Sequence, residues 1–103
     1  MTIWKIWLIH LMLSIKYSSK FKKDYKLLLK RKYPVQELFK VIDLLRKEIP
    51  LPEKYHDHLL SGNWQGFREC HIHPDWLLIY YIEKDELRLA LSRTGTHSDL
   101  FKM

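Results

Sequence analysis

The last third of the chain contains side chains suited to acid–base chemistry on a phosphate. His71 and His97 can remove and return protons near neutral pH, since an unperturbed imidazole has a pKa of about 6.5. Asp75 adds a carboxylate, and Arg93 can stabilise a phosphorane-like transition state. These groups could cleave RNA without a metal or cofactor, one base deprotonating the ribose 2′-hydroxyl and one acid protonating the leaving 5′-oxygen.

The pattern around these residues predicts three antiparallel strands whose ends meet. The strands are predicted at Phe67–His73, Trp76–Ile82 and Leu87–Arg93. The middle segment is apolar on both faces and should be central. In such a meander, the end of the first strand and the end of the third both lie at the start of the second. His71, Asp75, Trp76, Arg93 and His97 should therefore converge on one end of the sheet, and the prediction of a site depends on this convergence.

Two helices are predicted before the meander. Leu13–Tyr17 alternates as an opening strand, and helical spacing begins after Ser18 with Phe21, Tyr25, Leu28 and Leu29. Pro34 suits the first turn of a second helix, whose buried stripe is Leu38, Val41, Ile42 and Leu45. The predicted fold is therefore α+β, with the order β-α-α-β-β-β and both helices packed on an antiparallel sheet.

Two further segments bear on the site. The segment Glu53–Gln65 follows two helix-stopping prolines and shows no clear periodicity, which favours a binding or active-site loop. Thr96 and Asp99 have the spacing of a capping box, so a short helical turn should begin with His97.

The charge of the chain indicates an anionic partner. The 103 residues include 18 Lys and Arg against 12 Asp and Glu, a formal net charge of +6. Nucleic acid, an acidic protein and an anionic membrane all fit this charge. The excess lies in the first helix, where the predicted RNA-backbone contacts are Lys22, Lys23, Lys26 and Lys30. The alternative is a solvated helix face without a ligand.

The cysteine and histidine spacing argues against a metal centre. The pairs His56/His58 and His71/His73, with the single Cys70, match no familiar zinc-ligand spacing, so no metal site is predicted. One cysteine cannot form an internal disulfide, which favours a reducing cytoplasmic location. The sequence also lacks a Gly-rich phosphate loop and a nucleophile elbow.

Residues 1–12 are predicted to be an apolar extension before a single domain at residues 13–103. The apolar run Met1–Ile15 is shorter than the ~20 residues of a membrane-spanning helix and contains Lys5 and His10. Small residues typical of a signal-peptide cleavage site do not follow it. No membrane association is therefore expected, and translation beginning at Met12 is one explanation of the extension.

Two motifs, DHxLxGxWxGxRxxHIxPDWLLIY from Asp57 and RTGTHSxLF from Arg93, closely resemble the YafQ branch of the RelE-like bacterial toxins. The resemblance covers about Ser14 to Phe101. It implies a ribosome-dependent endoribonuclease that cuts messenger RNA in the A site of the 70S ribosome. It also implies inhibition by a cognate acidic, DinJ-like antitoxin in a hetero-oligomeric complex.

Carried over residue by residue, the resemblance implies catalytic roles for His58, His71, Asp75 and His97. It implies substrate-binding roles for Trp76 and Phe101, with Arg93 as a phosphate contact. It does not say which histidine is the base and which is the acid. Leu59 replaces a proline common at its position, which is expected to loosen the loop that carries His58. Two rival hypotheses remain: a binding module that docks on RNA or antitoxin without cutting, and a small zinc protein.

Overall fold

A five-stranded sheet with two long helices on one face and a short third helix on the other forms the domain. The computed structural model describes residues 12–101. Its elements are β1 (Ser14–Tyr17), α1 (Ser19–Lys30), α2 (Val35–Arg46), β2 (His58–Leu59), β3 (Arg68–His73), β4 (Trp76–Glu83), β5 (Arg88–Gly95) and α3 (His97–Phe101). Short 3₁₀ turns at Glu53–Tyr55 and Gly62–Trp64 flank β2. The predicted α+β class and order are confirmed, and the loop Glu53–Gln65 contributes one short additional strand.

The helices form where the sequence places start signals and apolar stripes. Ser18 is the N-cap of α1, and its hydroxyl accepts a hydrogen bond of 2.9 Å from the backbone N–H of Phe21. Both Phe21 and Leu28 of α1 are buried. The predicted stripe of α2 is fully confirmed, since all four of its residues are buried. Both amphipathic helices therefore cover one face of the sheet with their apolar sides.

The sheet has the strand order β1-β5-β4-β3-β2 and is mixed, not wholly antiparallel as predicted. The pairs β2/β3, β3/β4 and β4/β5 are antiparallel, but β1 pairs with β5 in parallel, with Ser14 opposite Arg88. Periodicity in a sequence shows which residues face the core, but it carries no information about strand direction. The direction of β1 is therefore a feature that only the assembled sheet shows.

The central strand β4 has a separate apolar cluster on each face. Leu78 and Tyr80 pack under the helices with the main core. Leu77 and Ile79 point to the other face, where Leu100 of α3 joins them in a second buried cluster. Partly buried Trp64 and Phe101 complete this second cluster. The loop before β3 and the helix after β5 are thereby held against the same sheet face.

The N-terminal boundary prediction falls largely on residues 1–11, which lie outside the described part of the chain. Over residues 12–101, none of the helices combines the length and the hydropathy required to cross a membrane. Leu13, immediately before β1, is buried in the main core.

The predicted capping box at α3 is present. The Thr96 backbone N–H donates to Asp99 Oδ2 at 3.0 Å, and the Asp99 N–H donates to Thr96 Oγ1 at 3.1 Å. Gly95 precedes the cap with a φ of 156°, and a Cβ atom there would lie 3.0 Å from Asp99 Oδ2. Arg31 donates to the same carboxylate at 2.7 Å, so one side chain joins the end of α1 to the start of α3.

Asp99→Ala is expected to lower the free energy of unfolding at neutral pH by about 1 kcal/mol, because the cap is lost. The hydrogen bond from Arg31, followed by those from Thr96, lowers the pKa of Asp99 from 3.8 to about 2. A lowered pKa stabilises the fold above the unfolded-state value, so the difference from wild type should shrink as pH falls from 3.8 towards about 2. Urea unfolding at several pH values measures this.

Asp43→Ala is the matched control, because it removes an exposed carboxylate whose i,i+4 pair with Lys47 contributes little. Equal losses of stability in the two variants at neutral pH would contradict the role given to the cap.

Candidate active site

The ends of β3, β4 and β5 meet as the meander predicts. His71 of β3 and Gly95 of β5 both lie opposite Leu77 near the start of β4. His97 follows two residues after Gly95 at the start of α3, and the ring centroids of His71 and His97 are 6.0 Å apart. The structure therefore brings together two imidazoles from sequence positions separated by the whole β4–β5 hairpin.

A carboxylate that the sequence reasoning missed lies between two histidines of this site. The Oε1 atom of Glu69 is 3.3 Å from Nε2 of His71 and 3.5 Å from Nε2 of His58. Glu69 is only 5% exposed. It shares a strand face with His71, two residues away, and it lies opposite His58 in the β2/β3 pair. Its position two residues before His71 in a predicted strand, on the same face, was the sequence signal that could have identified it.

The other ring nitrogens of these histidines bond to backbone carbonyls. His58 Nδ1 lies 2.6 Å from the carbonyl oxygen of His56, and His71 Nδ1 lies 3.3 Å from that of Pro74. A carbonyl can only accept, so in each neutral ring the proton is on Nδ1. Both Nε2 atoms then face Glu69, and a proton taken up on His71 Nε2 would bridge to this carboxylate.

His97 has a carboxylate partner of its own in Asp75. The ring Nδ1–H donates to Asp75 Oδ1 at 2.6 Å, and the backbone N–H of His97 donates to the same oxygen at 3.1 Å. These two bonds lower the pKa of the Asp75 carboxyl below its usual range. With Nδ1 held in this way, Nε2 is the nitrogen of His97 that can exchange a proton with a substrate.

Phe101 adjoins His97, and the predicted lysine contacts are exposed on α1. The Phe101 ring is half-buried, with its centroid 6.4 Å from that of His97 and 6.2 Å from that of Trp64. Lys22, Lys23, Lys26 and Lys30 are all exposed on α1. Their roles as substrate and RNA contacts remain predictions.

The structure corrects the prediction for Trp76 and shows the hydrogen-bond partner of Arg93. Trp76 is 2% exposed, and its indole N–H donates to Thr94 Oγ1 at 3.0 Å, so it is a core residue with no ring face available to a base. The Arg93 guanidinium donates to both carboxylate oxygens of Asp24, at 2.7 and 3.1 Å, and joins β5 to α1. Its role as a phosphate contact remains a prediction. Asp24 is the single acid in α1, and this could have indicated that it pairs with a basic residue elsewhere in the fold.

The loop that carries His58 is held by hydrogen bonds and strand pairing. Asp57 accepts a hydrogen bond of 2.5 Å from the Tyr80 hydroxyl and a bidentate contact from Arg68. Leu59 of β2 pairs with Arg68 of β3. The position therefore takes part in strand pairing, although it is not the proline common there. The predicted loosening is therefore countered by contacts on both sides of His58.

The side chains of His58, Glu69 and His71 are of the kinds that bind a divalent metal ion. The side-chain donor atoms of His58, Glu69 and His71 all lie within 4.8 Å of one another. Two imidazoles and one carboxylate are a known ligand set for zinc when a fourth position is open. The sequence spacing did not predict this cluster, because the His58 ligand comes from a different strand.

Comparisons with known proteins agree with the fold and the motifs. The family described as a bacterial toxin of type II toxin–antitoxin system, YafQ, matches residues 13–102. The mRNA interferase toxin YafQ of Escherichia coli strain K12 is 44% identical over 88 residues, 84% of this chain and 94% of that protein.

Solved structures show the same relationship. A metal-bound toxin from Helicobacter pylori superposes with a TM-score of 0.83 at 50% identity, over 87% of this chain and 100% of that one. The match in the E. coli DinJ–YafQ toxin–antitoxin complex has a TM-score of 0.79 at 43% identity, over 87% of this chain and 98% of that one. The chain therefore belongs to the YafQ family of bacterial type II toxins.

Proposed function

We propose that this chain is an endoribonuclease toxin that cleaves messenger RNA in the ribosomal A site by acid–base catalysis. The observation that carries the proposal is the pair of imidazoles 6.0 Å apart, each with its own carboxylate. One member of such a pair can take a proton while the other gives one, as strand cleavage by 2′-hydroxyl attack requires. The family relationship and the relative named as an mRNA interferase supply the substrate.

We infer that His71 is the base and His97 the acid, and the surroundings of the two histidines support this. The side chain of Glu69, beside His71, is 7% exposed, whereas the side chain of Asp75, beside His97, is 68% exposed. A buried carboxylate stabilises a newly acquired positive charge more strongly, because water screens it less. The proton of the 2′-hydroxyl thus passes to the His71–Glu69 pair. His97 gives its Nε2 proton to the leaving 5′-oxygen.

The remaining site residues act on the charge and position of the substrate. His58, on the other side of Glu69, is placed to stabilise negative charge on the phosphorane-like transition state when it is protonated. Phe101 contacts His97 and can position a base beside it. The exposed lysines of α1 bind ribosomal RNA.

An acidic, DinJ-like antitoxin is the proposed protein partner. A related toxin is known in complex with DinJ, and the net charge of +6 suits an acidic partner. Residues 13–103 are the proposed toxin domain, and the family match over residues 13–102 supports this. The toxin is proposed to act in the cytoplasm, because messages are translated there.

Primer extension on a message translated in a reconstituted system tests the proposal. The expected result is cleavage within codons that appears only when ribosomes are translating, and that disappears when the cognate antitoxin is added. The same RNA without ribosomes is the control. Binding to ribosomes without any cut product would identify a non-catalytic relative, and the proposal would be wrong.

A further inference from the structure

A cavity of about 520 Å³ opens beside the proposed catalytic cluster. His71 lines this cavity, and the rings of His56 and His71 meet edge to face with their centroids 5.8 Å apart. Lys40 of α2 and Lys54 of the first 3₁₀ turn also line it. We name it the β3-edge pocket, because residues 71–73 of β3 line it.

The pocket exists because β2 is short. β2 pairs with β3 only through His58 and Leu59, which lie opposite Glu69 and Arg68. Within residues 12–101, no strand lies beside the outer edge of β3 beyond this pair. The backbone edge that faces the pocket can therefore offer hydrogen-bonding groups to a ligand.

The side chains around this edge have the chemistry of a nucleotide site. Lys40 and Lys54 are exposed cations, suited to phosphate, and Lys54 Nζ lies 5.1 Å from the centroid of the half-buried Tyr55 ring. The exposed planar ring of His56 is suited to stacking. The one carboxylate in the lining, that of Glu37, is bonded to His73 at 2.6 Å, so a phosphate would not meet an isolated negative charge.

We propose that the β3-edge pocket binds the nucleotide of the message adjacent to the scissile phosphate, with Lys40 and Lys54 contacting its phosphate. This inference rests on the proposed function, because His71 belongs to both sites. An RNA strand held at His71 must continue beyond that residue. The adjoining pocket offers two cations and a planar ring to its next nucleotide. RNA is favoured over an antitoxin segment because the pocket shares a catalytic residue and offers a planar ring.

The test is a double-mutant cycle in which one change is made in the toxin and the other in the message. The double variant Lys40→Ala/Lys54→Ala and wild type are compared on ribosome-bound messages with normal backbone or with one uncharged methylphosphonate. The methylphosphonate is placed either 5′ or 3′ of the scissile phosphate. Lys84→Ala, in the exposed hairpin at the far end of β4, is the control for removing a lysine away from the pocket.

The double variant should need about tenfold more toxin for half-maximal cleavage, with little change in maximal rate. On one side of the scissile phosphate, the methylphosphonate should raise the toxin concentration that wild type needs by about the same factor. It should raise the concentration that the double variant needs hardly at all. Additive losses on both sides, or a double variant equal to Lys84→Ala, would overturn the proposal. Weakened antitoxin binding with unchanged cleavage would identify the pocket as a protein contact instead.

A second measurement keeps the pocket testable apart from catalysis. A trinucleotide with 2′-deoxy sugars, which cannot be cut by 2′-hydroxyl attack, is titrated into wild-type toxin and followed by amide NMR. Shifts confined to residues lining the pocket and the catalytic cluster are expected, with the β4–β5 hairpin unaffected. If wild type cuts no message but these shifts occur, the proposed function fails while the pocket stands. If wild type cuts but residues 54–56 and 71–73 do not shift, the pocket proposal fails alone.

Discussion

His97→Ala is expected to slow cleavage of ribosome-bound message by about 1,000-fold, the middle of the range for loss of a general acid or base. The leaving 5′-oxygen would depart without a proton donor. The half-exposed His97 ring contributes little to the core, so thermal unfolding should stay close to that of wild type. Single-turnover cleavage with saturating toxin isolates the chemical step from ribosome binding.

Two variants sharpen this test. Ser98→Ala changes the exposed neighbour of His97 in α3 and should cut at the wild-type rate. Asp75→Asn keeps the shape of the side chain but removes the carboxylate that holds His97 Nδ1, and we expect an intermediate loss. Cutting by His97→Ala at the rate of Ser98→Ala would show that the catalytic assignment is wrong.

Asp57→Ala is expected to lower the free energy of unfolding by about 3 kcal/mol, because two buried or half-buried donors lose their acceptor. The Tyr80 hydroxyl bonds to Asp57 at 2.5 Å, and Tyr80 is 1% exposed. Arg68 donates to both carboxylate oxygens, at 3.3 and 3.1 Å. Burial and the bond to Asp57 also raise the pKa of Tyr80 above its usual range, so the phenol remains a donor at all ordinary pH values.

The same substitution should slow cleavage by about tenfold, because Asp57 fixes the chain next to His58. Tyr80→Phe removes a single hydrogen bond and should cost about 1 kcal/mol, with cleavage close to normal. Asp85→Ala, in the exposed β4–β5 turn, is the control for removing an aspartate. Urea unfolding and single-turnover cleavage measure the two effects. Wild-type stability in Asp57→Ala would contradict the role given to this network.

The convergence of His71 and His97 was predictable because strand alternation and turn positions are local properties of the chain. An antiparallel meander has few alternative arrangements, so the pattern of β3, β4 and β5 already implied that their ends meet. The apolar stripe of α2 and the capping box at Thr96 were predictable for the same reason, since both depend on residues three or four positions apart.

The environment of each site residue was not predictable in this way. Trp76 and Arg93 have side chains that could serve RNA binding, but Trp76 is buried with its N–H bonded to Thr94, and Arg93 is paired with Asp24. Asp24 is 69 residues away from Arg93 in the sequence. The role of Glu69 depends on His58 lying opposite it in β2, a strand too short for a periodic signal. Contacts between residues so far apart in the sequence depend on the tertiary packing of the chain.

The amino-acid sequence by itself determined the fold class, the family and the set of histidines and carboxylates that make acid–base chemistry possible. Those properties follow from local periodicity, composition and motif spacing. The tertiary structure alone decided which carboxylate serves which histidine, which polar residues are committed to the core, and where a cavity adjoins His71. The physical reason is that electrostatic pairing and burial depend on distances through space, and residues distant in the chain supply most of those neighbours.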